Sequence, residues 1–237
     1  MEDITGTFAN VWSKVVLTYK EDWKEHIVET EDGGLDSFPT RFFSESDLET
    51  EFLCLLRREF RSERFKNKKV SVRNQFRFGY TTFRDQPELA IRIKKLYMEL
   101  KKEIGKSSFI PDLALDVEDK DDNDSFLIFS EVKFWTDLVP DYNSREDMPS
   151  KYQKEIKRLR TQCQILELAR DERVCENGYI CIISDGYASG NVMKQVLDSV
   201  KKEFPKLHFL IDGMPLGEKK EILKLKLKDN GDRSKYK

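Results

Sequence analysis

At 237 residues the chain is long enough for one domain with a sizeable core, or at most two small ones. Apolar residues make up 38% and charged residues 36%, which fits a soluble, highly charged globular protein, and the net charge of −2 supplies no global attraction to nucleic acid or membrane, so an anion-binding surface has to be local. No apolar run approaches the roughly 18 to 20 residues of a membrane span, and no basic-then-apolar signal opens the chain, so no membrane partner is expected. Cys54, Cys163, Cys175 and Cys181 show no CxxC pairing and lie far in sequence from His26 and His208. That favours reduced, mostly buried thiols in a cytoplasmic protein over a zinc site.

There is no internal repeat. VWSKVVLTYKEDWKEHIV, near the N-terminus, is weakly helical, and DGGLDSFP reads as a loop. SESDLETEFLCLLRREF is a strong helix: Ser44 or Ser46 can cap it, with Asp47 or Glu49 three places on, and Leu48, Phe52, Leu55 and Leu56 line one face. KVSVRNQFRF alternates like a strand, with Val70, Val72, Asn74, Phe76 and Phe78 on one side. Residues 87 to 104 form a second helix closed by Gly105. Two strand-like runs follow around the acidic loop VEDKDDND; then come a helix from about Pro149 to Arg170, a buried strand GYICIIS, a helix NVMKQVLDSVKKEF and a strand LHFLI. The tail alternates Leu with Lys before turning polar.

The two runs around the acidic loop carry charges where strands bury apolar side chains. If they pair antiparallel and symmetrically about the loop, Val117 faces Phe126 and Asp112 faces Glu131, with Cβ atoms roughly 4.5 to 5.5 Å apart. Lys133, two places beyond Glu131, shares its face, while Leu113, Leu115, Val117, Phe126, Ile128, Val132 and Phe134 take the other. One reading is a partly exposed salt bridge in which Lys133 neutralises one acid. The other is a cation site, because two facing carboxylates repel unless a cation sits between them. Their hard oxygen ligands suit Mg²⁺.

At these residues the sequence resembles the PD-(D/E)XK nuclease superfamily, with Pro111-Asp112 as the PD and Glu131-Val132-Lys133 as the (D/E)XK. The resemblance implies an α/β fold with a restriction-endonuclease-like core, a mixed central sheet flanked by helices. It covers about residues 44–184, within a single domain spanning 1–237 whose segments 1–43 and 185–237 are extensions, and the helix at 87–104 is an insertion. It further implies that Asp112, Glu131 and the Val132 carbonyl hold Mg²⁺ (Mn²⁺ substituting) and that Lys133 assists the attacking water. A further acid from the first core helix often joins such a site, and Glu45, on the face of Leu48 and Phe52, is placed ahead of Glu49 at the border of that face.

Lys154, Lys157, Arg158 and Gln162, on or beside the outer faces of the helix after the motif, are the candidate nucleic-acid contacts, since basic residues neutralise phosphates. Of two further basic groups, Arg57 to Lys69 also reads as a solvated face, and Lys224 to Lys228 as charges that protect an edge strand. The expected function is a Mg²⁺-dependent endonuclease acting on DNA, with a dimeric restriction enzyme as its first form and RNA still open as a substrate. Repair, mobile-element and RNA-directed nucleases are the near alternatives. A non-catalytic nucleic-acid-binding module is the alternative of another class.

Overall fold

The central sheet of this computed structural model takes its five strands in the order in which the chain makes them. The described residues are 2–25, 27–29, 35–37, 44–75, 86–119, 125–135, 150–190, 192–215 and 217–222. Along them run α1 (Glu2–Glu25), β1 (Ile27–Glu29), β2 (Leu35–Ser37), α2 (Glu45–Phe60), β3 (Lys68–Asn74), α3 (Pro87–Glu103), β4 (Leu113–Asp119) and β5 (Ser125–Trp135). After these come α4 (Ser150–Asp171), β6 (Asn177–Ser184), the single turn α5 (Asp185–Ala188), α6 (Val192–Glu203) and β7 (His208–Asp212). The sheet order is β3-β4-β5-β6-β7: the first three strands are antiparallel neighbours, whereas β5, β6 and β7 run parallel.

The hairpin register inferred from the acidic loop is the observed one, with Val117 opposite Phe126 and Leu113 opposite Ser130. Alternation then sorts the side chains to two faces. Leu113, Leu115, Val117, Ile128 and Val132 pack with α1 and α2, while Ala114, Leu127, Phe129 and Trp135 pack with α3, α4 and α6. Both faces are covered, so the middle of β6, Tyr179 to Ile183, is apolar, and the strand is buried from Gly178 to Ser184. Gly105 closes α3 as expected: at φ 74° it lets the Lys106 N–H donate to the Leu100 carbonyl.

Three expectations change. The N-terminal segment is a 24-residue helix, longer than the weak stretch read from sequence. Its Ile4, Phe8, Val11, Trp12, Val15, Tyr19 and Trp23 supply much of one core, so this helix is part of the fold and more than an extension packed on it. The expected loop DGGLDSFP contains β2, which pairs antiparallel with β1. β7 completes the sheet from beyond residue 184. Phe76, Phe78, most of the acidic loop, Pro149 and Lys224 to Lys228 lie outside the described residues.

Candidate active site

The two hairpin strands differ in length, and that difference makes the site. β4 begins at Leu113, opposite Ser130, whereas β5 continues to Trp135. Past Ser130, β5 keeps its parallel ladder with β6, Glu131 lying opposite Ile180 and Lys133 opposite Ile182. On the side β4 has left, the Val132 N–H donates to Asp112 Oδ2 at 2.8 Å. The Asp112 carbonyl in turn accepts from the Gln75 N–H at 2.8 Å. Asp112 is therefore fixed by backbone groups from two other segments, and its carboxylate bond to Val132 is charge-assisted.

Into this notch Lys133 sends its ammonium. Nζ donates to the Val132 carbonyl at 2.5 Å and to Glu45 Oε1 at 3.1 Å, and it lies 3.4 Å from Asp112 Oδ2 and 3.9 Å from Glu131 Oε2. The Lys133 and Glu131 side chains are each 1% exposed. Burial works against the lysine's charge, but Asp112, Glu131 and Glu45 together raise its pKa above the ordinary value. Burial pushes the Glu131 carboxyl well above the carboxylate range, the Asp112 charge adds to this, and Lys133 opposes it.

Both helix glutamates reach the cluster. Ser44 is the cap, its Oγ accepting from the Asp47 N–H at 3.3 Å, so Glu45 opens the first turn of α2. There the positive end of the helix dipole favours an acid. The expected order of the two is reversed in burial: Glu49 is 7% exposed, whereas the Glu45 side chain is 37% exposed. The physical reason is that α2 packs against both α1 and the sheet, so its buried sector widens to take in Leu48, Glu49, Phe52, Leu53 and Leu56. Burial, then Asp112 and Glu45, raise the Glu49 carboxyl to about 7, against the pull of Lys133. Carboxylate oxygens of Glu45, Glu49 and Asp112 lie within 4.8 Å of one another.

The α4 candidates separate. Its seam of Tyr152, Ile156, Leu159, Cys163 and Leu166 is buried as expected. Gln162, beside that seam and expected to contact nucleic acid, donates its amide N–H to Glu131 Oε2, while its Oε1 is buried without a hydrogen-bond partner. The sequence signal for this inward role was its position next to Cys163. Arg158 is exposed four residues before Gln162, on the same helix stripe. Lys154 and Lys157 are also exposed; Lys154 continues the same row one turn further from Gln162, whereas Lys157 lies roughly 140° around the helix from Gln162. Arg57 donates to the Val72 carbonyl and Lys69 pairs with Glu118, so two of the basic residues near β3 have structural partners.

The cluster offers carboxylate and carbonyl oxygens, a hard donor set that fits Mg²⁺, Mn²⁺ or Ca²⁺ better than a soft metal. Three of the four cysteines are buried elsewhere, and Cys54 is exposed; all are free thiols. A cleft of about 830 Å³ at the other end of the hairpin, lined by Arg92, Asp116, Arg170 and Arg173 among others, shares no residue with the cluster. No helix among the described residues is long and apolar enough to cross a membrane. Comparisons with family models, curated proteins and solved structures give no match to the chain.

Proposed function

We propose that this protein is a Mg²⁺-dependent phosphodiesterase acting on DNA, with a restriction-endonuclease-like core of the PD-(D/E)XK kind. One observation carries the reading: Asp112, Glu131, the Val132 carbonyl and the Lys133 ammonium meet where β4 stops and β5 runs on. A strand pair with a structural salt bridge has no need of four carboxyl groups about one ammonium. Repulsion among Glu45, Glu49, Asp112 and Glu131 raises the cost of the cluster, and a divalent cation relieves it.

Asp112, Glu131 and the Val132 carbonyl would hold the ion, with Glu45 and Glu49 at its flank. An ion bound there would polarise a phosphate oxygen and lower the pKa of a water. The chain's own groups do the rest. Gln162 orients the Glu131 carboxylate through its amide. Lys133 positions the attacking water and offsets charge building on the phosphorus. Arg158, one helical turn from Gln162 and exposed, is the nearest of the α4 basic residues along that stripe to meet a backbone phosphate. None of these groups reads a base, so the reading commits to a reaction and not to a recognition sequence.

The test is incubation of the full chain with mixed single- and double-stranded DNA and RNA, with Mg²⁺ or Mn²⁺ against EDTA. Metal-dependent cleavage of DNA that is lost in Lys133→Ala supports the reading. Cleavage of RNA alone would reassign the substrate, and absence of cleavage under every condition would leave a binding module.

A further inference from the structure

We propose that Lys133 is the resident cation of its own site: its ammonium takes the place a divalent ion would occupy, and loading the ion releases the ammonium toward the substrate. This rests on reading the cluster as a divalent-cation site, and it adds a coupling between metal binding and the availability of the catalytic lysine.

The geometry points there directly. A lysine working on a water or phosphate would extend outward from its strand. Lys133 instead folds back, donating at 2.5 Å to the carbonyl of its own neighbour, Val132. From that position it also reaches Glu45, Asp112 and Glu131, at 3.1, 3.4 and 3.9 Å. The Val132 carbonyl, Asp112 and Glu131 are the oxygens assigned to the ion. Mg²⁺ sits about 2.0 to 2.1 Å from its oxygens, so an ion on these ligands would lie within a few ångströms of Nζ. An ion drawing on the same three oxygens would meet the ammonium as a like-charged competitor, and the lysine, on a flexible stem, is the one that would move.

The residue counts explain why it sits there at all. Among the described residues, Lys133 is the one cation in ion-pair contact with these carboxylates. Without metal, its ammonium is what offsets the repulsion among Glu45, Asp112 and Glu131. With metal bound, that task passes to the ion, and the lysine gains the freedom its chemistry needs. One side chain thus serves as structural cation and catalytic group in turn, and the ion selects between the two.

Calcium titration of the full chain by calorimetry, with melting curves, tests this in three proteins: wild type, Lys133→Met and Lys133→Ala. Met keeps most of the side-chain volume while removing the charge. The Met variant is expected to bind Ca²⁺ about tenfold more tightly than wild type. It should melt lower than wild type without metal and recover that deficit at saturating Ca²⁺. In the Ala variant, added ethylammonium should raise the melting temperature saturably and weaken Ca²⁺ binding competitively, with neither effect on wild type.

Equal Ca²⁺ affinity in wild type and the Met variant would overturn the release while leaving the cation site standing. Tighter binding without competition by ethylammonium would also overturn it, because a through-space charge effect then suffices. Ca²⁺ binding by neither protein would overturn the cation site itself. If the Ala variant does not fold, the Met titration and its metal-free melt decide the matter.

Discussion

Two buried lysine–carboxylate clusters lie at the ends of neighbouring strands, and they are built on opposite principles. At the end of β6, Asp185 is fully buried and accepts from Tyr19 Oη at 2.9 Å, from the Met214 N–H at 2.8 Å and from Lys219. Lys219, 4% exposed, also donates to Tyr19 Oη and lies 4.8 Å from the Trp23 ring centroid. One acid meets one ammonium, and neutral donors satisfy the remaining lone pairs. Gly213 makes this closure possible, since a Cβ there would stand 2.3 Å from the Ser184 carbonyl oxygen. At the β5 notch, by contrast, Glu45, Asp112 and Glu131 share one ammonium, Glu49 lies close to Glu45 and Asp112, and the Gln162 Oε1 has no hydrogen-bond partner. Balance of charge and donors marks a structural tie between α1, β6 and the helix 217–222. An excess of acids over cations, with Asp112 held by the Val132 and Gln75 N–H groups, sets the β5 notch apart from that tie.

The largest effect should come from breaking the balanced cluster. Asp185→Asn leaves Lys219 buried without its partner, which should cost about 3 to 5 kcal/mol. Denaturant midpoints measured with and without Ca²⁺ should show the same loss. A loss that Ca²⁺ repairs would mean this cluster, too, responds to cations, and the contrast would fall.

A second experiment sharpens the difference through pH. The folded Glu49 carboxyl is raised to about 7 from an ordinary 4.5, so the native state holds a proton that the unfolded chain gives up. Stability from that proton is fully present below 4.5 and is lost as the pH rises through 7. Glu49→Gln removes the loss: in metal-free buffer at pH 8 the variant should gain about 2 to 3 kcal/mol over wild type, relative to their difference at pH 4.5. Parallel stability–pH curves for the two proteins would show that Glu49 is not held among like charges.

The smallest expected change is in Gln162→Leu. Stability should shift by about 1 kcal/mol or less, because one hydrogen bond and one orphaned oxygen disappear together. Ca²⁺ affinity should fall about tenfold as Glu131 loses the amide that orients it. Unchanged affinity would return Gln162 to the role of a neutral neighbour.

How far this was legible depends on the range of the interactions. The hairpin register followed from local symmetry about one acidic loop, and the alternation then placed Asp112, Glu131 and Lys133 together. Helix α2 was legible from its cap and apolar stripe, but the depth of Glu49 was not, because α1 comes from a distant segment to widen the buried sector. The signal for α1 was present in the spacing of Ile4, Phe8, Val11, Val15 and Tyr19, but Gly6 and the flanking threonines break the run where it starts. Strand β2 is three residues long beside Gly33 and Gly34, too short to alternate. The Asp185–Lys219 pair had no local signature, since a strand, a helix and a loop separate its members.

The central claim is that the β5 notch is a divalent-cation site held together against its own repulsion. Its most direct test is melting wild type and Asp112→Asn in metal-free buffer and in millimolar Ca²⁺ or Mg²⁺. Asn keeps the shape and an oxygen for the Val132 N–H while removing one negative charge from the cluster. The account predicts that the metal-free Asn variant melts at or above wild type, and that the stabilisation wild type gains from the ions is lost in the variant. A metal-free Asn variant less stable than wild type, with neither protein responding to either ion, would contradict it and leave Lys133 in an ordinary salt bridge.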